Sequence, residues 1–84
     1  MNKYVNYFGI DISHLVFDVT DSYGNHYQFK NNTSGFSKFI KFLDVDSHCV
    51  MEATGHYHYQ LAYYLLGSGF KVSVENPLTV KRFI

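Results

Sequence analysis

Polar and hydrophobic residues alternate along the first thirty positions of the chain in the manner of β-strands. Residues 4–12 are rich in aromatic and β-branched side chains and predict a first strand. Alternation over residues 15–20, and again over 26–30 where Tyr27 and Phe29 share a face, predicts two more strands. Because only short turns separate them, the three strands are expected to form an antiparallel meander.

Two segments have the spacing of amphipathic helices instead. After a loop over residues 31–35, in which Thr33 or Ser34 is expected to cap the helix, apolar residues recur at i, i+3, i+4 and i+7. These residues are Phe36, Phe39, Ile40 and Leu43. A second apolar helical face follows residue 55 and consists of Tyr57, Leu61, Tyr64 and Leu65. Gly67 is placed to end this helix in the left-handed conformation.

Each predicted helix leads into a short apolar strand. The first of these strands covers residues 48–51 and ends at Glu52, and the second covers residues 70–74 before Asn76-Pro77. The order is β-β-β-α-β-α-β, and its helical crossovers require the first, fourth and fifth strands to be parallel. Simple pairing of neighbours gives the strand order 3-2-1-4-5, the mixed α/β sheet of the ribonuclease-H fold.

The composition fits one small folded domain over residues 1–84. Hydrophobic residues make up 46% of the chain and aromatic residues 19%, which excludes a disordered chain. No apolar stretch approaches the roughly 20 residues that span a bilayer, and the chain does not begin like a signal peptide. The single cysteine, Cys49, excludes an internal disulfide and indicates a reducing compartment. A soluble, cytoplasmic protein without a membrane partner is expected.

The charge balance argues against strong nucleic-acid binding by this chain alone. Seven basic and seven acidic residues give a formal net charge of zero. An autonomous nucleic-acid binder usually carries a basic face that displaces counterions from phosphates. Lys81 and Arg82 indicate a basic segment only at the end of the chain.

Two acids close neighbouring predicted strands, Asp11 on the first and Glu52 on the fourth. Because these strands are expected to be adjacent and parallel, both carboxylates should lie at the edge where α/β sheets bind ligands. The two repel each other unless they share a cation or a proton, and their hard oxygen atoms suit Mg²⁺ or Mn²⁺. Spacing alone leaves open a pair of solvated strand-end acids. Four other acids are interpreted as surface residues, Asp18 on the outer side of its strand and Asp21, Asp44 and Asp46 in turns.

Histidines and tyrosines after Glu52 offer further candidates. His56 and His58 lie two residues apart, so on a helix they face different directions and are expected at the surface or the helix start. His56 is also a candidate neighbour of the metal site. Four tyrosines have faces that nucleobases stack on, but most of them are interpreted as helix packing with the hydroxyl at the rim. These are Tyr57, Tyr59, Tyr63 and Tyr64.

Several motifs, taken together, carry a resemblance to a known family. They are Phe8-Gly9-Ile10-Asp11-Ile12-Ser13, a strand over 15–18, residues 29–32 with Gly35, Glu52-Ala53-Thr54-Gly55, and Asn76-Pro77 with Val80-Lys81. In order and spacing they resemble the N-terminal domain of DEDD-type insertion-sequence transposases, relatives of the Piv DNA invertase. The Glu-Ala-Thr-Gly turn after an apolar strand is the most specific element. His14 departs from the lysine of many relatives, which puts a nucleic-acid contact in doubt rather than the metal site.

The resemblance implies that Asp11 and Glu52 are the first two acids of a catalytic DEDD tetrad that binds Mg²⁺ or Mn²⁺ for DNA cleavage. In the family the other two acids form an Asp-x-x-Asp pair on a helix downstream of the Asn-Pro segment. A C-terminal domain with a serine follows, and members of the group are directed by a guide RNA. The chain is therefore expected to be the N-terminal part of a RuvC-like nuclease domain, truncated before the catalytic helix. It is expected to bind metal weakly and not to cut DNA.

Two alternatives from other classes stay open. A sugar kinase or another actin-like ATPase also begins with a strand ending in Gly-Ile-Asp, but its phosphate loop normally has a glycine soon after the aspartate, and residues 12–15 contain none. A non-catalytic interaction domain is the other alternative. If a downstream helix normally covers one face of the sheet, the exposed apolar surface favours a homo-oligomer.

Overall fold

The computed structural model describes residues 6–52 and 55–75. Their elements are β1 (Tyr7–Ile12), β2 (Val16–Thr20), β3 (His26–Lys30), α1 (Thr33–Ile40), β4 (His48–Glu52), α2 (Tyr59–Gly67) and β5 (Lys71–Glu75). The predicted order of elements is confirmed. Several predicted features lie outside the described residues. They are the start of the first predicted strand before residue 6, the Ala53-Thr54 part of the turn, and the Asn76-Pro77 and Val80-Lys81 motifs.

The five strands form one mixed sheet in the order β3-β2-β1-β4-β5. β2 is antiparallel to both β1 and β3, whereas β1 and β4, and β4 and β5, are parallel pairs. This is the predicted order, and it gives the chain an α/β fold consistent with the ribonuclease-H type. The carboxyl ends of β1, β3, β4 and β5 consequently meet at one edge, which we name the carboxyl edge.

The sheet buries one face and leaves the other uncovered within the described residues. Along β1 the side chains of Phe8, Ile10 and Ile12 are buried, while the residues between them are exposed. Both helices pack on the buried face, where Phe39 and Leu65 are fully enclosed. The Phe17 ring lies at the centre of an aromatic cluster, within 5.4 to 5.9 Å of the rings of Phe29, Phe36 and Phe39. The opposite side is named here the open face.

The start of α1 differs from the prediction. Asn32 caps the helix, because its side-chain oxygen accepts a hydrogen bond of 2.9 Å from the Gly35 N–H. Thr33 and Ser34, the predicted caps, are the first two helical residues. All three residue types cap helices well, so composition could not choose between them. The backbone of Asn32 is extended, as a cap requires.

The start and end of α2 also differ. Gly67 is the last helical residue, and the left-handed conformation occurs at Gly69, with φ of 91°. The Phe70 N–H then donates to the Leu65 carbonyl at 3.0 Å, which closes the helix end. At the other end the helix begins at Tyr59, so Tyr57 lies in the preceding turn and not on the apolar helical face. No helix in the described ranges has the length and apolar character needed to cross a membrane.

Gly35 lets α1 approach the end of β3 backbone to backbone. A Cβ atom added at this position would lie 1.8 Å from the Lys30 carbonyl oxygen, far inside van der Waals contact. The neighbouring atoms belong to the main chain and cannot rotate away. Any larger residue at position 35 must therefore push the helix off the sheet.

We expect Gly35→Ala to destabilise the fold by about 1–3 kcal/mol or more, because overpacking against backbone cannot be relieved by rotamer changes. The matched control is Gly67→Ala, where an added Cβ meets nothing within 4 Å. That change should leave the stability of the fold unchanged or raise it by up to about 1 kcal/mol, because alanine lowers the conformational entropy of the unfolded chain. Urea unfolding followed by circular dichroism measures both. Equal midpoints for the two variants would contradict the close approach.

Candidate metal centre

Asp11 and Glu52 occupy neighbouring positions on the open face. Asp11 is the penultimate residue of β1 and Glu52 is the last residue of β4. The parallel register pairs Ile10 with Met51, so the next residue of each strand is one of the two acids. Adjacent strands lie about 4.8 Å apart, which brings the carboxylates close together. Both are exposed.

Two more acids extend this pair into a row across four strands. Asp18 on β2 is directly opposite Asp11, and Glu75 on β5 is the register partner of Glu52. All four line one open cavity of about 560 Å³, which Thr20 and His26 also line. Asp18 lies on the outer face of its strand, as predicted, and Asp11 lies on the same face of the sheet. We name Asp18, Asp11, Glu52 and Glu75 the acidic row.

The electrostatics of the acidic row favour a cation. Among the described residues, no lysine or arginine lines the cavity, and the one basic side chain in its lining is His26. Within the described residues one member of the row accepts a side-chain hydrogen bond: Gln28 donates to Asp18 at 3.0 Å. Four carboxylates held in neighbouring strands repel one another at neutral pH, and a bound cation relieves that repulsion.

The donor set of Asp11 and Glu52 fits Mg²⁺ or Mn²⁺. Both offer hard carboxylate oxygens, and Mg²⁺ in proteins commonly takes one or two carboxylates and keeps several waters. The described residues do not form a closed site with many protein ligands. In the described ranges, no group of three or more His, Cys, Asp or Glu side chains is arranged to hold a metal ion. Any cation held by this pair therefore remains largely hydrated.

The histidines after Glu52 do not join the acidic row. His56 lines a separate cavity, and so the structure does not support it as a neighbour of the acid pair. His58 lies at the start of α2, as predicted, but it is only 5% exposed. Its Nδ1 atom is buried and has no hydrogen-bond partner among the described residues. Sequence alone gives no signal for that burial.

The expectation that most of the four tyrosines pack against the helix core is wrong, because three of them are exposed. Tyr57, Tyr59 and Tyr63 are exposed, and the last two stack on each other with ring centroids 6.2 Å apart. Tyr64 alone packs inward, 5.4 Å from the Phe36 ring. Tyr57 is exposed because α2 begins after it, whereas Tyr59 and Tyr63 lie on the side of α2 opposite the buried Leu61 and Leu65.

Cys49 takes no part in the candidate site. Its side chain is fully buried on the helix-covered face of β4. Burial disfavours the thiolate and raises the pKa of Cys49 to about 12. The residue is therefore a protonated, apolar core side chain at physiological pH.

Comparison with known proteins identifies the chain. The family model for DEDD transposases of the IS110 type, described as a transposase, matches residues 8–84. The chain belongs to this transposase family. Among curated relatives, this transposase chain is 31% identical over 86 residues to the pilin gene-inverting protein of Moraxella lacunata. It is 33% identical over 86 residues to the protein of the same name from Moraxella bovis.

These matches cover 92% of the transposase chain but 27% of each relative. The chain thus spans about a quarter of the length of the curated relatives it matches. What the whole relatives do can be carried over to it only as a proposal. The match does include Asp11 and Glu52, since both fall within residues 8–84.

We expect Asp18→Asn to stabilise the metal-free transposase chain by about 0.2–1 kcal/mol, because it removes a like charge directly opposite Asp11. The asparagine oxygen can still accept the hydrogen bond from Gln28. The gain should shrink at high salt, which screens exposed charges. Urea unfolding in buffer with a chelator, at low and high salt, measures it. Asp46→Asn, in a turn, is the control, and a loss of stability in Asp18→Asn at low salt would contradict the repulsion.

Proposed function

We propose that Asp11 and Glu52 bind a divalent cation, Mg²⁺ or Mn²⁺, in the DNA-cleaving site of a transposase or recombinase. The observation that carries the proposal is the parallel register of β1 and β4, which makes the two acids neighbours on an uncovered face. Membership of the transposase family supports the same assignment. In this proposal both residues are metal ligands and catalytic residues.

The charge of the acidic row explains why a cation is needed at all. A phosphodiester backbone is negative, and it approaches a surface on which four carboxylates lie side by side. With two divalent cations bound there, the charge of one would activate the attacking hydroxyl or water, and the charge of the other would stabilise the leaving oxygen. Asp11 and Glu52 hold the charge in place, while Asp18 and Glu75 deepen the negative potential that attracts it. The open cavity leaves room for a nucleic-acid strand.

DNA is the substrate that the relatives suggest. Both are named pilin gene-inverting proteins, and the inversion of a gene requires DNA strands to be cut and joined. We propose that the present chain contributes to such cleavage and joining within a longer protein, with a guide RNA as a further partner. The actin-like ATPase alternative is disfavoured, because the β1–β2 turn at residues 13–15 lacks glycine.

The proposal predicts that Mn²⁺ binds at the carboxyl ends of β1 and β4. Titrating Mn²⁺ should broaden amide resonances of these two strands first, and Asp11→Asn or Glu52→Gln should weaken binding about tenfold or more, because half of the protein ligands are lost. Asp46→Asn is the matched control, an exposed acid outside the acidic row. Unchanged affinity in both site variants would contradict the assignment.

The same proposal predicts no DNA cleavage by the 84-residue chain, because two carboxylates leave a pair of catalytic cations short of ligands. Incubation of the purified chain with DNA and Mn²⁺ checks this. Efficient cleavage that Asp11→Ala abolishes would overturn the claim that further acids are required.

We further propose that the chain self-associates through β5 and α2, and not through the open face. The open face is lined by the acidic row, which makes it a poor contact surface. β5 is an edge strand of the described sheet, and Tyr63, Leu66 and Val74 are exposed beside it around a cavity of about 430 Å³. A second copy related by a two-fold axis pairs the two β5 edges and covers both apolar surfaces at once.

Leu66→Glu should therefore shift the chain to monomer, because it places a charge in the contact. Leu15→Glu, at an exposed leucine in the β1–β2 turn, is the matched control and should leave association unchanged. Light scattering over a concentration series measures both. Monomeric wild-type protein at high concentration would refute the contact.

A further inference from the structure

A second cavity, of about 310 Å³, lies at the carboxyl edge between the β1–β2 turn and the start of α2. It is lined by His14, Asn31, His56, Tyr57 and Gln60 and shares no residue with the acidic row. Its size is at the lower end of the range of small-ligand pockets. We name it the aromatic cavity.

Three rings form one wall of the aromatic cavity. The Tyr57 ring lies 5.3 Å from the His14 ring and 4.7 Å from the His56 ring, tilted by 34° and 38°. Tyr57 is 38% exposed, so part of its ring remains accessible. Accessible aromatic faces of this kind stack well on flat, unsaturated ligands.

Asn31 fixes this wall relative to the sheet. Its side-chain amide donates to the Ser13 carbonyl at 3.0 Å and to the Tyr57 carbonyl at 3.2 Å. One side chain thus ties the end of β3 to the β1–β2 turn and to the segment before α2. The aromatic cavity is consequently preformed by the fold, which lowers the entropy cost of filling it.

The remaining lining selects the ligand class. Among the described residues that line the aromatic cavity there is no lysine, arginine, aspartate or glutamate, and its two histidines do not belong to any described group of three or more potential metal ligands. A phosphate and a metal ion are therefore both disfavoured as ligands. Gln60 is exposed on the first turn of α2, and its carboxamide offers one acceptor and two donors. A carboxamide beside an aromatic face is the combination with which proteins hold a nucleobase, by its edge and its ring.

We propose that the aromatic cavity binds an unpaired nucleobase of the DNA strand that is cleaved. The inference rests on the proposed function of Asp11 and Glu52. His14 follows Asp11 by three residues, a span of at most about 10 Å of extended chain. At about 3.4 Å for each stacked nucleotide, the two sites are therefore no more than about three nucleotides apart. A base held in the aromatic cavity therefore determines which phosphate lies over the acid pair.

The test uses the 84-residue chain and a short single-stranded oligodeoxynucleotide that carries the fluorescent base 2-aminopurine. Stacking on Tyr57 should quench the fluorescence, and Tyr57→Ala should weaken binding about tenfold. The matched control is Tyr23→Ala, at a tyrosine 86% exposed in the β2–β3 turn at the opposite edge of the sheet. Gln60→Ala, a surface change, should weaken binding about threefold through the lost hydrogen bond, even if Tyr57→Ala fails to fold.

Two further measurements separate this proposal from its rivals. A strand with an abasic site keeps its phosphates but lacks one base, so it should compete less well than the intact strand. The weakening of binding by Tyr57→Ala should be seen with chelator present as well as with Mn²⁺, so a failed metal site and a failed base site give different results. Equal competition by the abasic strand would overturn the proposal. Tighter binding of an RNA of the same sequence would overturn the assignment to the DNA strand.

Discussion

The parallel pairing of β1 with β4 fixes both faces of the sheet at the same time. On one face it aligns Phe8 and Ile10 with Cys49 and Met51, which form the centre of the core under the two helices. On the other face the same register makes neighbours of Asp11 and Glu52. A slip by one residue would bury the carboxylates and expose the core side chains, so the stability of the core specifies the geometry of the site.

Much of this arrangement follows from the sequence, because it depends on local periodicity and on the handedness of crossovers. The strand order and the proximity of Asp11 and Glu52 are of this kind. The positions of Asp18 and Glu75 are not, because they depend on the register of β2 and β5, which single-strand alternation does not determine. The cap at Asn32 and the late start of α2 were missed for another reason. Neighbouring residues there have nearly equal propensities, and tertiary contacts select among them.

The carboxyl edge combines two surfaces of opposite chemistry. The acidic row is charged and open. The described residues that line the aromatic cavity include no Asp, Glu, Lys or Arg, and hydrogen bonds from Asn31 hold the cavity in shape. In the functions proposed above, the first surface acts on the backbone of a nucleic acid and the second on a base. The near-neutral composition of the chain is consistent with this division, because neither surface relies on a basic patch for its ligand.

The close approach at Gly35 has a consequence for how the molecule opens. β3 has one strand neighbour, β2, and would be expected to fray as an edge. Instead α1 rests directly on its final backbone atoms, and the Phe29 ring lies 5.5 Å from the Phe39 ring of the helix. Separating β3 from the sheet therefore also uncovers α1. We therefore expect the strand and the helix to form one cooperative unit, whose amide hydrogens exchange together and not first at the edge strand.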